Sequence, residues 1–326
     1  MKLNLAALKD NAFFEKANVR LPQFDVEAMR SETMESPVWV HFGAGNIFRG
    51  FIARLQQTLL ENGQAKSGII AAETFDYDVI DKMYSPYDSL SLLVTLLPDG
   101  STRREIIASI ACGLRADSSD EAELAKLKKV FANPSLQMVS FTITEKGYAL
   151  RNMQSQLLPV VEADLNEGPA KARHAMSLLT ALMLHRFNSG AFPIALVSMD
   201  NCSHNGEKLR SSMLEVAEGW QKNGFVSAEF VEYLSNESRV AFPWSMIDKI
   251  TPRPDASIAA ALKADGFEEM DAVVTGKNTY IAPFVNAEGP EYLVVEDRFP
   301  NGRPALEKAG VYMTDRDTVN NTERMK

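Results

Sequence analysis

Apolar residues in this chain gather in short unbroken runs, separated by stretches with helical spacing. Val38-Trp39-Val40-His41-Phe42 is a β-rich run, and the glycine cluster Gly43-Ala44-Gly45 follows it directly. From Asn46 to Glu61 the apolar residues Ile47, Phe48, Phe51, Ile52, Leu55, Leu59 and Leu60 recur three and four positions apart, which predicts a helix with one buried face. Gly68-Ile69-Ile70-Ala71-Ala72 is a second apolar run, ending at Glu73. Strand, glycine turn, helix and strand make a βαβ unit, so the expected class is α/β with a parallel, doubly wound sheet.

The same reading continues along the chain. Leu90–Leu97, turned by Pro98-Asp99-Gly100, predicts a strand, and Glu105–Cys112 a returning one. Helices are expected over Glu121–Phe131, Ala170–Phe187 and Glu207–Lys222, and strands over Met138–Thr144, Phe192–Met199 and Tyr292–Glu296. Thr251-Pro252-Arg253-Pro254 reads as a loop, and Phe299–Pro304 as a domain boundary.

Composition narrows the class. The 326 residues carry 43 acidic against 34 basic side chains, a net charge of −9, which argues against a nucleic-acid partner. Two cysteines cannot build a disulfide framework, so a reducing cytoplasm is the expected compartment. No apolar run approaches the ~18 residues of a membrane span, and the first residues lack the long apolar core of a secretory signal. Oligomeric state is left open.

Candidate chemistry clusters after the strands. Gly43 permits a tight turn, Gly45 lets an anion approach the backbone, and the following helix N-terminus offers unpaired N–H groups. Gly43, Gly45, Asn46, Ile47, Phe48 and Arg49 are therefore candidate cofactor-binding residues, with Arg49 as a cation facing phosphate. The alternative is a purely structural turn. Glu73 ends the second strand, where a carboxylate accepts from ribose hydroxyls and repels a 2′-phosphate, favouring NAD over NADP. It lies further along than the usual ~20 residues, and Asp76 competes for the role. Thr144 and Glu145 follow another buried strand and either line the cleft or form a solvated turn. Ser198–Gly206 packs Asp200, Asn201, His204 and Asn205 into one crossover, where Asn201 could aim an amide donor at a developing alkoxide. Asp248-Lys249, set among apolar residues, reads either as a substrate contact or as a buried ion pair in a loop. The four histidines match no zinc spacing, so no metal is expected.

These segments together resemble the mannitol dehydrogenase family, the polyol-specific long-chain dehydrogenases that include mannitol dehydrogenases and hexuronate reductases. The resemblance rests on VHFGAGNIFRGF (40–51), FTITEKGY (141–148), SMDNCSHNG (198–206), FPWSMIDKITP (242–252), VVEDRFPNGRP (294–304) and TERMK (322–326). It implies a Rossmann-type domain over 1–305 that binds NAD, followed by the start, 306–326, of a helical C-terminal domain that is mostly absent. It also implies a metal-free interconversion of a secondary alcohol and a ketone on a small polyol or sugar-acid substrate. Lys326 then matches the general acid/base, Glu323 a carboxylate that passes the proton on, and Asn201 the amide that holds the reacting oxygen. Asp200 and Lys249 are further candidate substrate contacts, and Lys146 and Lys249 are rival bases. The ETFDYDVID and VVEDRFPNGRP segments look closer to fructuronate reductases than to mannitol dehydrogenases. The family's asparagine and histidine beyond the lysine have no counterpart within 326 residues. The expectation for this polypeptide is therefore cofactor binding with little turnover.

Overall fold

The computed structural model describes residues 1–326. Its central sheet has six parallel strands: β1 (Trp39–Phe42), β2 (Ile69–Glu73), β3 (Ile110–Arg115), β4 (Met138–Phe141), β5 (Ile194–Ser198) and β6 (Val240–Ala241). They lie in the order β3-β2-β1-β4-β5-β6, which is the doubly wound order with its switch point between β1 and β4. Phe42 aligns with Ala72 on one side and Phe141 on the other, and Phe141 aligns with Ser198. Four strands therefore end at one level, so Gly43, Glu73, Thr142 and Met199 emerge together on the carboxyl rim.

Both faces of this sheet are covered, which is why its strands read as continuous apolar runs. Trp39, Ile69, Ala71, Met138, Ala195 and Val197 face one core. Val40, Phe42, Ile70, Ala72, Val139, Phe141 and Leu196 face the other, under helices Glu121–Ala132, Ala175–Asn188 and Asn205–Lys222. On the first side lies a second sheet, ordered Val19–Arg20, Thr102–Ile107, Ser91–Leu96, Phe284–Glu288. Two of its strands are inserted between β2 and β3. A third sheet joins Ser245–Lys249, Glu291–Glu296 and Tyr312–Thr314, and helix Arg316–Arg324 packs on it.

Several expected elements change. The single strand expected over Glu105–Cys112 is broken at Ala108-Ser109, where the chain leaves the second sheet and enters the central one. Helix side chains hold the crossing: Gln57 Oε1 accepts from the Ala108 N–H at 2.7 Å, and Ser109 Oγ donates to the Ala53 carbonyl at 2.5 Å. Strand β4 stops at Phe141 rather than Thr144, because Thr144 takes left-handed backbone (φ 63°) and opens a short helix. The long helix begins at Ala175, with a 3-10 turn over Pro169–Lys171 before it. Asp248-Lys249 lies at the end of a strand, not in a loop. The helix after the glycine turn opens with a wide π turn over Phe48–Ile52 before continuing as α-helix over Ala53–Glu61.

Candidate active site

The glycine turn leaves β1 on the carboxyl rim. Gly43 has φ 109°, and a Cβ there would overlap the Thr142 carbonyl oxygen, so only glycine fits. Gly45 differs: a Cβ there would meet open space, which is the approach path an anion needs. The N–H groups of Asn46 and Ile47 open the helix without an acceptor in the chain. The Asn46 Oδ1 atom is buried and has no donor. Beneath the turn, His41 Nδ1 lies 2.6 Å from Ser140 Oγ and Nε2 lies 2.7 Å from Thr142 Oγ1, while its ring stacks on Phe48 at 4.3 Å. Full burial pushes its pKa down to about 3, so it stays neutral.

Glu73 closes the other side of the turn. Its Oε1 accepts from the Ala44 N–H at 3.1 Å, and its Oε2 from Phe75 and Asp76 at 3.0 and 3.2 Å. Burial raises its carboxyl above the usual range, opposed by those three donors. The competitor Asp76 is instead buried and takes the Thr275 hydroxyl at 2.5 Å. Of the two, Glu73 is the carboxylate that touches the glycine turn.

Four expected contacts differ. Arg49 does not face the rim: it is 1 % exposed, donating from Nε to Ser91 Oγ and from Nη2 to the Ala282 carbonyl, and so ties the helix to the second sheet. Phe48 is likewise buried and can offer only its backbone. Asp200 is engaged by the chain itself on both carboxylate oxygens. Its carboxylate takes the Ile143 and Thr144 N–H groups at 3.0 Å each and the Tyr148 hydroxyl at 2.5 Å. Burial raises its pKa. It is a bracket that holds Thr144 in its left-handed turn. Lys249 points its nearly buried ammonium over the Phe51 ring at 5.8 Å, with Glu291 at 4.0 Å. Successive strand residues face opposite ways, so Lys249 and exposed Asp248 do not pair. Desolvation lowers the Lys249 pKa.

Other sequence candidates do converge. Asn201 is exposed on the loop after β5. Helix Arg316–Arg324 docks against that loop: Glu323 Oε2 accepts from the His204 N–H at 3.2 Å. Lys326 Nζ donates to the Ile247 carbonyl at 3.0 Å and stands 3.8 Å from Asp248 Oδ1. Thr144 and Glu145 are exposed on the adjoining turn, where Glu145 pairs with Lys208. A cleft of about 610 Å³ opens beside them, lined in part by Glu145, Tyr148, Arg151, His204 and Lys208. Lys146 is exposed and lines no part of it.

Residues 38–308 match the Rossmann domain of mannitol dehydrogenases. The chain belongs to the mannitol dehydrogenase family. It is 51% identical, along its whole length, to a D-mannonate oxidoreductase of Thermotoga maritima, covering 60% of that protein. It is 30% identical to a polyol:NADP oxidoreductase of Gluconobacter oxydans, over 92% of this chain and 56% of the relative. The fold superposes on a Pseudomonas fluorescens mannitol 2-dehydrogenase, solved as a ternary complex with NAD and D-mannitol, with a TM-score of 0.80 at 28% identity. That match covers all of this chain and 60% of the other. The chain thus spans about 60% of the length of such relatives.

Within this family member, three features escaped the sequence reading. Asn205 is a buried stitch, donating to Ser198, Asp200 and Ser245 carbonyls and accepting from the Ser245 N–H. His204 has left-handed backbone (φ 50°), stacks on Trp244 at 4.6 Å and lies 3.2 Å from Asn320 Oδ1. A hairpin of Val273–Val274 and Tyr280–Ile281 leans over the rim. Its signal was legible: a β-branched or aromatic pair on each side of Gly276 and Asn278.

Proposed function

We propose that this chain is the cofactor-binding part of an NAD-dependent oxidoreductase that interconverts a secondary alcohol and a ketone on a hexuronate or polyol, of the D-mannonate/D-fructuronate type. The observation that carries this reading is Glu73 gripping the Ala44 N–H beside an open Gly45 and two free helix N–H groups. This arrangement fits a dinucleotide: the backbone of Gly45, Asn46, Ile47 and Phe48 meets the pyrophosphate, and the Glu73 carboxylate accepts from ribose hydroxyls. NAD bound there supplies the hydride acceptor. Asn201 then donates its amide to the substrate oxygen, Lys326 holds or takes the hydroxyl proton, and Glu323 passes it on. Glu145 walls the cleft, and Thr144 stands on the turn beside it. Residues 1–305 act as the cofactor domain, and 306–326 lead into a substrate domain. The substrate class is supported by the 51% identical D-mannonate oxidoreductase.

A second reading, a dinucleotide-binding unit without turnover of its own, is favoured by the 60% coverage of those relatives. NADH fluorescence titration tests both readings, followed by assay of the chain with fructuronate and mannonate. The expected result is NADH binding, with slow turnover of both substrates. Ordinary turnover by the 326-residue chain would remove the second reading, and no NADH binding would remove both. Glu73→Ser is expected to cut the preference for NADH over NADPH by about tenfold or more. An unchanged ratio would exclude Glu73 as the ribose-reading group.

A further inference from the structure

The hairpin of Val273–Val274 and Tyr280–Ile281 touches the two ends of the glycine-turn cradle. At the helix end, the Tyr280 carbonyl accepts from Asn46 Nδ2 at 3.5 Å, and the next carbonyl but one, of Ala282, accepts from Arg49 Nη2 at 2.8 Å. At the β2 end, the hairpin tip meets the loop that follows Glu73. The Thr275 hydroxyl donates to Asp76 Oδ2 at 2.5 Å, and the Gly276 N–H donates to Asp78 Oδ2 at 3.1 Å. The tip is stiff, because Thr275 Oγ1 also accepts from the Lys277 and Thr279 N–H groups at 3.3 and 3.1 Å.

This arrangement fixes an unusual pair on the surface. Phe75 is 64% exposed, although its backbone N–H is held by the Glu73 carboxylate. Lys277, carried on the tip, places its ammonium 4.9 Å from the Phe75 ring centroid. Beyond the end of β2 thus stands an exposed aromatic ring with a cation over one face and the Glu73 carboxylate at its backbone, which leaves the other face for a base. A flat nucleobase stacks on such a face, and a ribose 2′-phosphate is repelled by Glu73 and attracted by Lys277.

We propose that the hairpin is the outer wall of the adenosine end of the cofactor site, with Phe75 as the adenine-stacking platform and Lys277 as the residue that sets tolerance of a 2′-phosphate. The proposal rests on the dinucleotide reading above, and the two fail separately. Stacking on Phe75 contributes to binding whatever the 2′ substituent. Lys277 acts mainly when a phosphate is present, since only then does its charge meet an anion at the ribose.

The test is titration of the 326-residue chain with NADH, NADPH and ADP-ribose, by fluorescence and calorimetry. Phe75→Ala is expected to weaken all three ligands alike by about tenfold, and Phe75→Trp to restore them. Lys277→Ala is expected to weaken NADPH by about fivefold while NADH shifts less than about twofold. Both side chains project from surface loops, so thermal midpoints should match the parent chain, and ligand-free melts verify this. If the parent binds NADH and ADP-ribose but Phe75→Ala binds them equally well, the platform is refuted. If Lys277→Ala leaves the NADPH to NADH ratio unchanged, the specificity role is refuted. If the parent binds none of the three, the dinucleotide reading itself falls.

Discussion

His41 shows how one side chain couples the cofactor turn to the stability of the sheet. It sits on β1 immediately before the glycine turn, bonded to Ser140 and Thr142 and stacked under Phe48. With its pKa pushed down to about 3 by burial, it is neutral in the folded protein wherever the fold is stable. An exposed histidine in the unfolded chain takes up a proton near pH 6.5. Below that value the unfolded state binds more protons, so stability falls as pH falls, until the folded imidazole also protonates near pH 3. The contribution is largest above pH 6.5 and is lost across that window at up to about 1.4 kcal/mol per pH unit. Urea unfolding at pH 7, 6 and 5 should show this slope in the parent and a flatter one in His41→Gln. Parallel slopes in the two proteins would mean that another group dominates. The residue also marks a limit of sequence reading. In the sequence His41 shows only as part of a β-rich run and as one of four histidines without zinc spacing, because its partners lie about a hundred positions away, on β4 and just beyond it.

Elements were legible where local pattern and tertiary environment agree. Strands β1, β2, β4 and β5 read as strands because a sheet covered on both faces selects unbroken apolar runs, whereas β6, two residues long, is too short to show a pattern; the glycine turn reads as a turn because Gly43 and Gly45 answer to local backbone geometry. Residues whose role depends on distant partners were misread. Arg49 follows the turn in sequence, but the π turn over Phe48–Ile52 carries its guanidinium inward to Ser91 and Ala282. Asp200 looked like a substrate ligand because no spacing rule announces a carboxylate that caps the backbone of a neighbouring strand. Arg186 gave no signal at all, yet it joins more elements than any candidate. Fully buried on helix Ala175–Asn188, it donates to five carbonyls, those of Phe131, Asn133, Leu136, Phe192 and Pro193, at 2.8–3.1 Å. It so fixes the end of helix Glu121–Ala132 and the entries to β4 and β5. Five N–H donors in a planar fork meet five acceptors, a match that an ammonium with three donors cannot reproduce. Arg186→Lys should therefore cost at least about 2 kcal/mol, and Arg186→Met about 3–5 kcal/mol, by leaving buried carbonyls unpaired. The urea midpoint should drop with the slope unchanged. A midpoint within experimental error of the parent's would show that water or backbone adjustment replaces the bonds.

The molecule as a whole divides its stability unevenly, and the three tryptophans report the division. Trp39 lies in the core between the central and second sheets, and Trp220 in the core under the outer helices; both are fully buried. The two cores share the strands of one sheet, facing alternately to either side, so neither can open while the other stays packed. Trp244 belongs elsewhere. It is only partly buried, against the small cluster of Met246, Val294 and Val319, with His204 stacked on it and Arg316 5.1 Å away. The helix that covers it, Arg316–Arg324, buries a single side chain, Val319. Its apolar anchorage is therefore that of one buried valine, about 1.5–3 kcal/mol. Local opening at this corner is therefore cheaper than global unfolding. It is also the corner where Glu323 meets the Asn201 loop and Lys326 meets Ile247 and Asp248, so the proposed proton-handling groups stand on a weakly anchored helix. With 5-fluorotryptophan incorporated, fluorine NMR during a urea titration should show the Trp39 and Trp220 signals leaving their native positions together. The Trp244 signal should depart at lower urea. Loss of all three at one midpoint would show instead that the terminal helix is an integral part of the cooperative fold.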